Sequence, residues 1–167
     1  MRLLASTICC GLQGVNGFLV NVEAYLSNGL VSFDVVGLPS AALKESKDRV
    51  RAAVTMSGYQ MPIKRITVNL SPADLKKEGT AYELAIAVAL LAAGTPEAYH
   101  GLADTLLLGE LSLQGSVLPV RGALPMVISA YERGVRRVLL PAGNAREVAC
   151  LADLEVYPVA TLRDAVR

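Results

Sequence analysis

An almost continuous apolar stretch at residues 81–93 predicts a helix that is buried on every face. Before it, Thr80 and Glu83 have the S/T-x-x-E spacing in which both side chains satisfy backbone N–H groups at a helix start, and Gly94 is a typical helix end. The stretch is shorter than the roughly 20 residues that span a bilayer, so we interpret it as the central helix of a soluble domain. The polar loop at residues 72–79 is then held at the surface, where a functional site is expected.

Alternation of apolar and polar residues predicts strands in the first part of the chain. Residues 2–10 and 18–26 alternate in this way, and a Ser-Asn-Gly turn at 27–29 leads into a third strand at 30–36. These three strands are predicted to form an antiparallel meander.

Helical and strand patterns alternate through the rest of the chain. Apolar positions at helical spacing follow Ser40 and end before Gly58, and a strand from Ile63 to Leu70 leads into the polar loop. The further predicted elements are strands at 106–113 and 117–120, a helix at 122–133, a strand at 138–140, a short helix capped by Asn144, a strand at 155–158 and final turns capped by Thr161. This order predicts an α+β fold, or two-layer mixed α/β fold, with residues 1–167 as one domain.

Composition supports a single globular domain. The 167 residues are 53% hydrophobic and 19% charged and contain no low-complexity tract, which suits a buried core and argues against disorder. The 16 basic and 15 acidic residues nearly balance. A net charge of +1 neither demands nor excludes a nucleic-acid partner, because local patches matter more than the sum.

The cysteines and the start of the chain bear on the cellular compartment. The 3 cysteines form no CxxC pair, which argues against a disulfide framework and a zinc site and favours a reduced, cytoplasmic setting. The first residues resemble a signal peptide, but Ser6 and Thr7 interrupt the apolar run and no cleavage site follows. No other segment is long and apolar enough to cross a membrane, so no membrane partner is expected.

Several kinds of active site lack their motifs in this sequence. The chain contains no G-x-x-x-x-G-K-[ST] string, and the glycines between residues 11 and 17 lack the spacing of a dinucleotide fingerprint. A metal site would need clustered histidines and cysteines, whereas His100 is the only histidine and is interpreted as a loop residue. Asp74 and Glu78 could form an acid pair, but beside two lysines they are more simply a charge-balanced turn.

Two sequence blocks resemble blocks of Lon proteases. Residues 76–83 read KKEGTAYE and are similar to P-K-D-G-P-S-A-G of Lon. Residues 109–122 read GELSLQGSVLPVRG and are similar to G-E-[IV]-[TS]-L-x-G-x-V-L-P-[IV]-G-G. The blocks stand in the Lon order, and a GVRRVLLP segment follows downstream as in Lon. The resemblance implies a Lon-protease-like fold, related to the ribosomal-protein and GHMP-kinase type of β-α-β fold.

The same resemblance locates the positions of a catalytic dyad. Lon proteases cleave peptides with a nucleophilic serine in the first block and a lysine base after the second. Alignment places the serine position at Ala81 and the lysine position at Leu124, and neither residue can do this work. Thr80 lies one place away and is interpreted as a helix cap. The resemblance therefore implies a Lon-like fold without Lon chemistry, and no catalytic residue in this chain.

A closer resemblance covers nearly the whole chain. Residues 27–39, 44–53, 65–79 and 121–125 are similar to the amino-terminal domain of the YifB/ComM family of magnesium-chelatase-like AAA+ ATPases. In this family an ATPase domain with the P-loop and a small carboxy-terminal domain follow the Lon-like domain. The resemblance implies that the chain is an amino-terminal fragment of a ring-forming motor, expected to be a hexamer. ATP and Mg would bind the motor's ATPase domain, and no cofactor or metal is expected in this chain.

The favoured hypothesis is a non-catalytic module that assembles the ring and contacts DNA without reading its sequence. ComM is implicated in DNA branch migration during natural transformation, and RadA-type recombination proteins also carry a Lon-like domain without the dyad. The basic candidates for phosphate contact are Lys64, Arg65, Lys76, Lys77, Arg121, Arg133, Arg136 and Arg137. The alternative for each of them is an ordinary solubilising charge.

Three other functions are weighed against this hypothesis. A Ser-Lys peptidase would have to use Thr80, because the two dyad positions are lost. A small-molecule kinase of the mevalonate/galactokinase fold would need a glycine- and serine-rich phosphate loop, and residues 76–80 contain only one glycine. A chelatase subunit that inserts magnesium into a porphyrin rests on a resemblance that belongs to the ATPase domain.

Overall fold

The computed structural model describes residues 3–38, 40–73, 75–77, 79–95, 99 and 101–166. The strands are β1 (Leu3–Gln13), β2 (Asn16–Ser27), β3 (Ser32–Val36), β4 (Arg65–Ser71), β5 (Thr105–Leu107), β6 (Glu110–Leu111), β7 (Val117–Leu118), β8 (Arg137–Pro141) and β9 (Glu155–Val159). The α-helices are α1 (Ser40–Met56), α2 (Glu83–Gly94), α3 (Ala123–Glu132) and α4 (Leu162–Ala165), with short 3₁₀ helices at Leu102–Asp104 and Ala142–Val148. None of the described helices is long and apolar enough to cross a membrane.

In the described part of the chain, seven strands form one sheet in the order β3-β4-β2-β1-β5-β8-β9. Strand β2 pairs antiparallel with both β1 and β4, and all other neighbours in this sheet are parallel. In the main sheet, β4, β5, β8 and β9 each follow a helix, which produces the parallel neighbours through crossover connections. The mixed α/β fold class is therefore confirmed.

The predicted antiparallel meander is correct for its first two strands and wrong for the third. β1 and β2 pair antiparallel from Leu3↔Leu26 to Gln13↔Asn16. β3 pairs instead with β4, in parallel, and β4 lies between β2 and β3. Strand β4 has a neighbour on each side, and its apolar residues Ile66, Val68 and Leu70 are 2% exposed or less.

Helices pack on both faces of β1 and β2. The Thr7 hydroxyl donates to the Ala85 carbonyl of α2 at 2.9 Å, whereas the Cys10 thiol donates to the Met126 carbonyl of α3 at 3.3 Å. Because neighbouring residues of a strand point to opposite faces, these two contacts place α2 and α3 on opposite sides of the sheet. The second face of β3 and β4 is exposed or half-buried at every described residue.

The central helix is confirmed as a helix buried on all sides. Residues 83–93 of α2 are all buried, and its alanines allow β1, β2 and α1 to approach closely. The final helix α4 begins with the predicted cap, in which Thr161 Oγ1 accepts from the Asp164 N–H at 3.2 Å and the Asp164 carboxylate accepts from the Thr161 N–H at 3.1 Å.

The predicted strand at 106–113 is broken in two. β5 ends at Leu107 in the main sheet, while β6 pairs with β7 in a separate two-stranded sheet. Between them, the Gly109 N–H donates to the Ala81 carbonyl at 3.1 Å and the Gly109 carbonyl accepts from the Leu84 N–H at 3.0 Å. The chain leaves the sheet at this point because it binds the start of α2.

Candidate functional site

A buried ion pair, rather than a capping box, holds the start of α2. The Glu83 carboxylate is fully buried and lies 2.7 Å from Nη2 of Arg49 in α1. It also accepts hydrogen bonds from the Ser46 hydroxyl at 2.8 Å and from the Leu111 N–H at 3.0 Å. The predicted Thr80–Glu83 cap is therefore wrong, because the carboxylate points to α1 and β6 and the helix start at Tyr82 has no side-chain cap.

This Glu83 network was missed at the sequence level, although it left a signal. Ser46 lies four residues before Val50 and seven before Ala53, so a polar side chain stands on the apolar stripe of α1. Its burial to 2% exposure is explained by the Glu83 partner. The same partner raises the pKa of the Arg49 guanidinium above its usual value through a hydrogen bond.

The start of α2 forms one wall of a cleft of about 710 Å³. Residues Gly79–Tyr82 line it together with Cys10–Leu12 at the end of β1 and with Pro119–Arg121. Because β1 and β4 run in the same direction, the cleft lies beyond their carboxyl ends, where ligand sites of parallel sheets are usually found. We call this feature the cleft.

Asn144 does not cap a helix but binds the segment Pro119–Arg121 that lines the cleft. Its side-chain amide accepts from the Val120 N–H at 2.9 Å and donates to the Val120 carbonyl at 3.0 Å. The predicted cap at Asn144 is wrong, because the 3₁₀ helix Ala142–Val148 starts earlier, after Pro141. The buried amide thus pins an irregular segment whose backbone would otherwise lack partners.

The two positions of the lost dyad have different surroundings in the structure. Ala81 lines the cleft, and its carbonyl accepts from the Gly109 N–H at 3.1 Å and from the Cys9 thiol at 3.4 Å. Leu124 is half-buried in α3 and packs against the hydrophobic core. Thr80 also lines the cleft, and its carbonyl accepts from the Glu83 N–H at 3.3 Å.

Of the eight basic residues put forward for DNA contact, four lie in two groups, and Arg133, Arg136 and Arg137 lie from the end of α3 to the start of β8. Lys76 and Arg121 are exposed at the end of the sheet that carries the cleft. Lys64 and Arg65 lie at the other end of β4, about 20 Å away for a strand of this length. There the Lys64 ammonium donates to the Asn28 side chain at 3.1 Å.

Lys77 belongs to neither group, although it follows Lys76 directly. Its side chain is only 1% exposed, and its ammonium donates to the Leu75 carbonyl at 2.9 Å and to the Pro72 carbonyl. The side chain therefore stabilises the loop from inside and cannot reach a phosphate in this conformation. A buried lysine of this kind is invisible in the sequence, where Lys76 and Lys77 read as one charged pair.

Two further sequence-level interpretations fall outside the described residues. These are the loop position of His100 and the charge-balanced turn of Asp74 and Glu78. Among the residues that the structure does describe, no three His, Cys, Asp or Glu side chains come together as a metal site would require.

Two buried cysteines lie beside the cleft. Burial raises the pKa of the Cys10 thiol to about 11, and burial also raises the pKa of the Cys9 thiol well above its usual range. Both side chains have 0% exposure, whereas Cys150 is exposed. Since the thiolate is the reactive form, Cys9 and Cys10 should be inert while the protein is folded.

We therefore expect a single fast-reacting thiol in the native protein. Ellman's reagent at pH 8 should modify Cys150 alone, and all 3 cysteines should react after unfolding in guanidinium chloride. Cys150→Ala should remove the native reaction without changing stability. Rapid native labelling of the Cys150→Ala variant would contradict the burial of Cys9 and Cys10.

Comparisons with known proteins agree on one family. The family model described as subunit ChlI of Mg-chelatase matches residues 22–144. The chain is 45% identical over 139 residues to YifB of Salmonella typhimurium, which covers 83% of this chain and 27% of that protein. It is 40% identical over 155 residues to competence protein ComM of Haemophilus influenzae, which covers 93% of this chain and 30% of that protein.

A more distant similarity connects the chain with Lon proteases. The Lon protease of Rhizobium meliloti is 27% identical over 164 residues, which cover 91% of this chain and 20% of that protein. This similarity fits the mixed α/β sheet and the order of the two blocks. The chain spans about a third of the length of the curated relatives that it matches.

Proposed function

The chain belongs to the family of the Mg-chelatase subunit ChlI, together with YifB and ComM, and we propose that it acts as a non-catalytic Lon-like module of a ring-forming AAA+ ATPase. In this proposal the module serves ring assembly and contacts DNA without reading its sequence, and the cleft is its contact surface. The relative named competence protein ComM favours a role in DNA handling, with branch migration as the proposed activity of the whole motor.

The residues at the two dyad positions carry the non-catalytic part of the proposal. A methyl group stands at Ala81, where a Lon-type serine would be, and Leu124 packs into the core rather than lining the cleft. In a Lon-type dyad the serine supplies a hydroxyl and the lysine supplies an amine that reaches it. Alanine and leucine side chains carry neither group, so neither residue replaces its Lon counterpart. ATP and Mg belong, in this proposal, to the motor's ATPase domain.

The exposed side chains support a role in assembly. Leu30 and Val31 are 90% and 66% exposed in the connection between β2 and β3, and Val36 is 53% exposed on β3 at the edge of the sheet. Large exposed apolar groups beside an edge strand are typical of a surface that another subunit covers. A self-associated ring, expected to be a hexamer, would use such a surface.

The DNA part of the proposal is tested with fluorescence anisotropy. Labelled single-stranded, duplex and branched DNA would be titrated with the chain over a salt series, with several unrelated sequences. We expect similar affinity for all sequences and a steep loss with salt, because phosphate contacts release counterions. Sedimentation velocity in the same buffers would give the oligomeric state of the bound species.

Lys76 and Arg121 supply the decisive variant. Replacing both by alanine should reduce the slope of log K against log[salt] by about 1.8 on duplex DNA, at about 0.9 for each lost phosphate contact. The matched control is Lys64→Ala/Arg65→Ala, which removes the same charge at the other end of β4 and should leave the slope nearly unchanged. Equal affinity at low and high salt, or an equal effect of the two variants, would refute the cleft as the contact surface.

A further inference from the structure

Strand β3 ends the main sheet on one side, and its outer side faces no other described strand. The Ser32 N–H donates to the Lys64 carbonyl, just before β4, at 3.5 Å. The N–H and C=O groups of one strand residue point to the same side, and those of the next residue point to the opposite side. Phe33 and Val35 therefore direct their backbone N–H and C=O groups away from β4. We call this outer side of the strand the β3 edge.

The opposite edge of the sheet is protected against pairing with another strand. The Glu155 N–H donates to the Arg136 carbonyl, just before β8, at 2.8 Å, so Val156 and Pro158 of β9 face outward by the same alternation. Proline has no N–H, which removes a hydrogen-bond donor from that edge. β3 contains neither proline nor lysine, two residues that commonly prevent an edge strand from pairing. The β3 edge is therefore suited to accept a further strand.

Helix α1 places two cations beside the β3 edge. The Lys47 ammonium lies 6.0 Å and the Arg51 guanidinium 5.8 Å from the centre of the Phe33 ring. Neither side chain forms an ion pair within the described part of the chain. Asp48 is also exposed on α1, whereas Asp34 alternates with Phe33 and so points to the other face of the sheet. The charged groups that lie over Phe33 on the α1 side are therefore positive.

We propose that the β3 edge binds an extended acidic peptide of another protein as an additional strand. The outward backbone groups of Phe33 and Val35 supply the main-chain hydrogen bonds of such a strand. Acidic side chains of the peptide on the α1 side pair with Lys47 and Arg51. Neither DNA nor the cleft takes part in this contact, which therefore goes beyond the proposed function.

A nucleic-acid backbone fits the β3 edge less well than a peptide does. Phosphate oxygens accept hydrogen bonds from N–H groups but offer no donor to the outward carbonyls of Phe33 and Val35. A peptide strand presents both donors and acceptors, so both kinds of backbone group are satisfied. A neighbouring subunit is the other competitor, because it and the peptide cannot both cover the exposed Val31 and Val36.

Backbone N-methylation of the peptide tests strand addition. The probe is a fluorescein-labelled eight-residue peptide in which glutamate alternates with valine, measured by anisotropy with the whole chain at low salt. One variant carries N-methyl groups on its glutamates, and the matched variant carries them on its valines. With the glutamates on the α1 side, only one of these two sets of N–H groups faces β3. One variant should therefore lose about tenfold or more in affinity, while the other binds like the parent peptide.

The affected variant also gives the direction of the added strand. Loss with methylated glutamates indicates an antiparallel strand, because residues opposite Phe33 and Val35 then exchange hydrogen bonds with them directly. Loss with methylated valines indicates a parallel strand, in which the bonding groups lie one residue to either side. Equal affinities of the two variants, or no binding of the parent peptide at low salt, would overturn the proposal.

Removal of the two cations on α1 tests the choice of an acidic peptide. Lys47→Ala/Arg51→Ala should weaken binding about fivefold at low salt, and this effect should fade at high salt. The matched control Arg146→Ala/Arg163→Ala removes the same charge from two exposed positions near β9 and should leave the affinity unchanged. An equal loss in both variants, or tighter binding of a peptide with lysine in place of glutamate, would contradict the assigned partner.

Two further measurements decide between the competing occupants. Sedimentation velocity gives the oligomeric state with and without the peptide, and a self-associated chain that excludes the peptide would assign the β3 edge to a neighbouring subunit. Displacement of the peptide by duplex DNA would assign the edge to nucleic acid, and either result overturns the acidic peptide as its occupant. Lys76→Ala/Arg121→Ala should leave peptide binding unchanged, so failure of the proposed DNA contact and failure of peptide binding are observed separately.

Discussion

Replacing Glu83 by alanine is expected to lower the free energy of unfolding by about 3–5 kcal/mol. The substitution leaves the Arg49 guanidinium, whose side chain is only 22% exposed, without its 2.7 Å partner. It also leaves the Ser46 hydroxyl and the Leu111 N–H without the carboxylate that accepts from them. A buried charge that loses its partner is far more costly than an exposed one, because water cannot replace the lost interactions. Chemical denaturation followed by far-UV circular dichroism measures the loss.

Glu45 is the matched control for Glu83. It also pairs with Arg49, at 3.9 Å, but its side chain is 71% exposed. Glu45→Ala should therefore cost less than about 0.5 kcal/mol, and that small effect should disappear in high salt. Glu83→Gln keeps one oxygen acceptor and should give an intermediate loss. A loss below about 1 kcal/mol for Glu83→Ala would mean that the network is solvated and does not fix the start of α2.

Gly37→Ala is expected to lower the free energy of unfolding by about 3 kcal/mol. Gly37 follows β3 with a φ of 104°, which an L-residue adopts only with strain. In addition, an alanine Cβ at this position would lie 2.4 Å from the Leu70 carbonyl oxygen. That oxygen belongs to the backbone of the central strand β4, so it cannot move aside without disturbing the sheet.

Gly58 separates the two parts of this cost. It has a similar φ of 88°, but nothing lies within 4 Å of the place where its Cβ would be. Gly58→Ala should therefore show the backbone strain alone, about 1 kcal/mol. The difference between the two variants, measured in the same denaturant series, is the cost of the contact with β4. Equal losses would show that the chain adjusts around Gly37 without disturbing β4.

The difference between patterns that are local in the sequence and contacts between distant residues explains which parts of the candidate site were predictable. The position of Ala81 between a buried helix and a polar loop was predictable, because the apolar stretch after it had to be buried and the loop before it had to stay outside. Lys76 and Lys77 looked alike in the sequence, yet only Lys76 is exposed. The carbonyls that bind the Lys77 ammonium are brought together by the fold of the loop, which no residue pattern encodes.

The arginines show the same limit at longer range. Arg136 and Arg137 are neighbours in the sequence, yet Arg136 packs on the Tyr131 ring of α3 and Arg137 pairs with Glu155 of β9. Four of the candidates for DNA contact were likewise divided by the fold, since the length of β4 sets Lys64 and Arg65 apart from Lys76 and Arg121.

The sequence by itself determined most of the helices and strands, the buried central helix, the mixed α/β class and the family. These properties depend on the periodicity of apolar residues over short segments and on ordered blocks, both of which can be read along the chain. Only the tertiary structure decided that β4 separates β2 from β3, that Glu83 binds Arg49 instead of capping α2, and that Lys77 is buried. Each of these is a choice between partners distant in sequence, and the free energy of burying a charge or a strand in one packed core makes that choice.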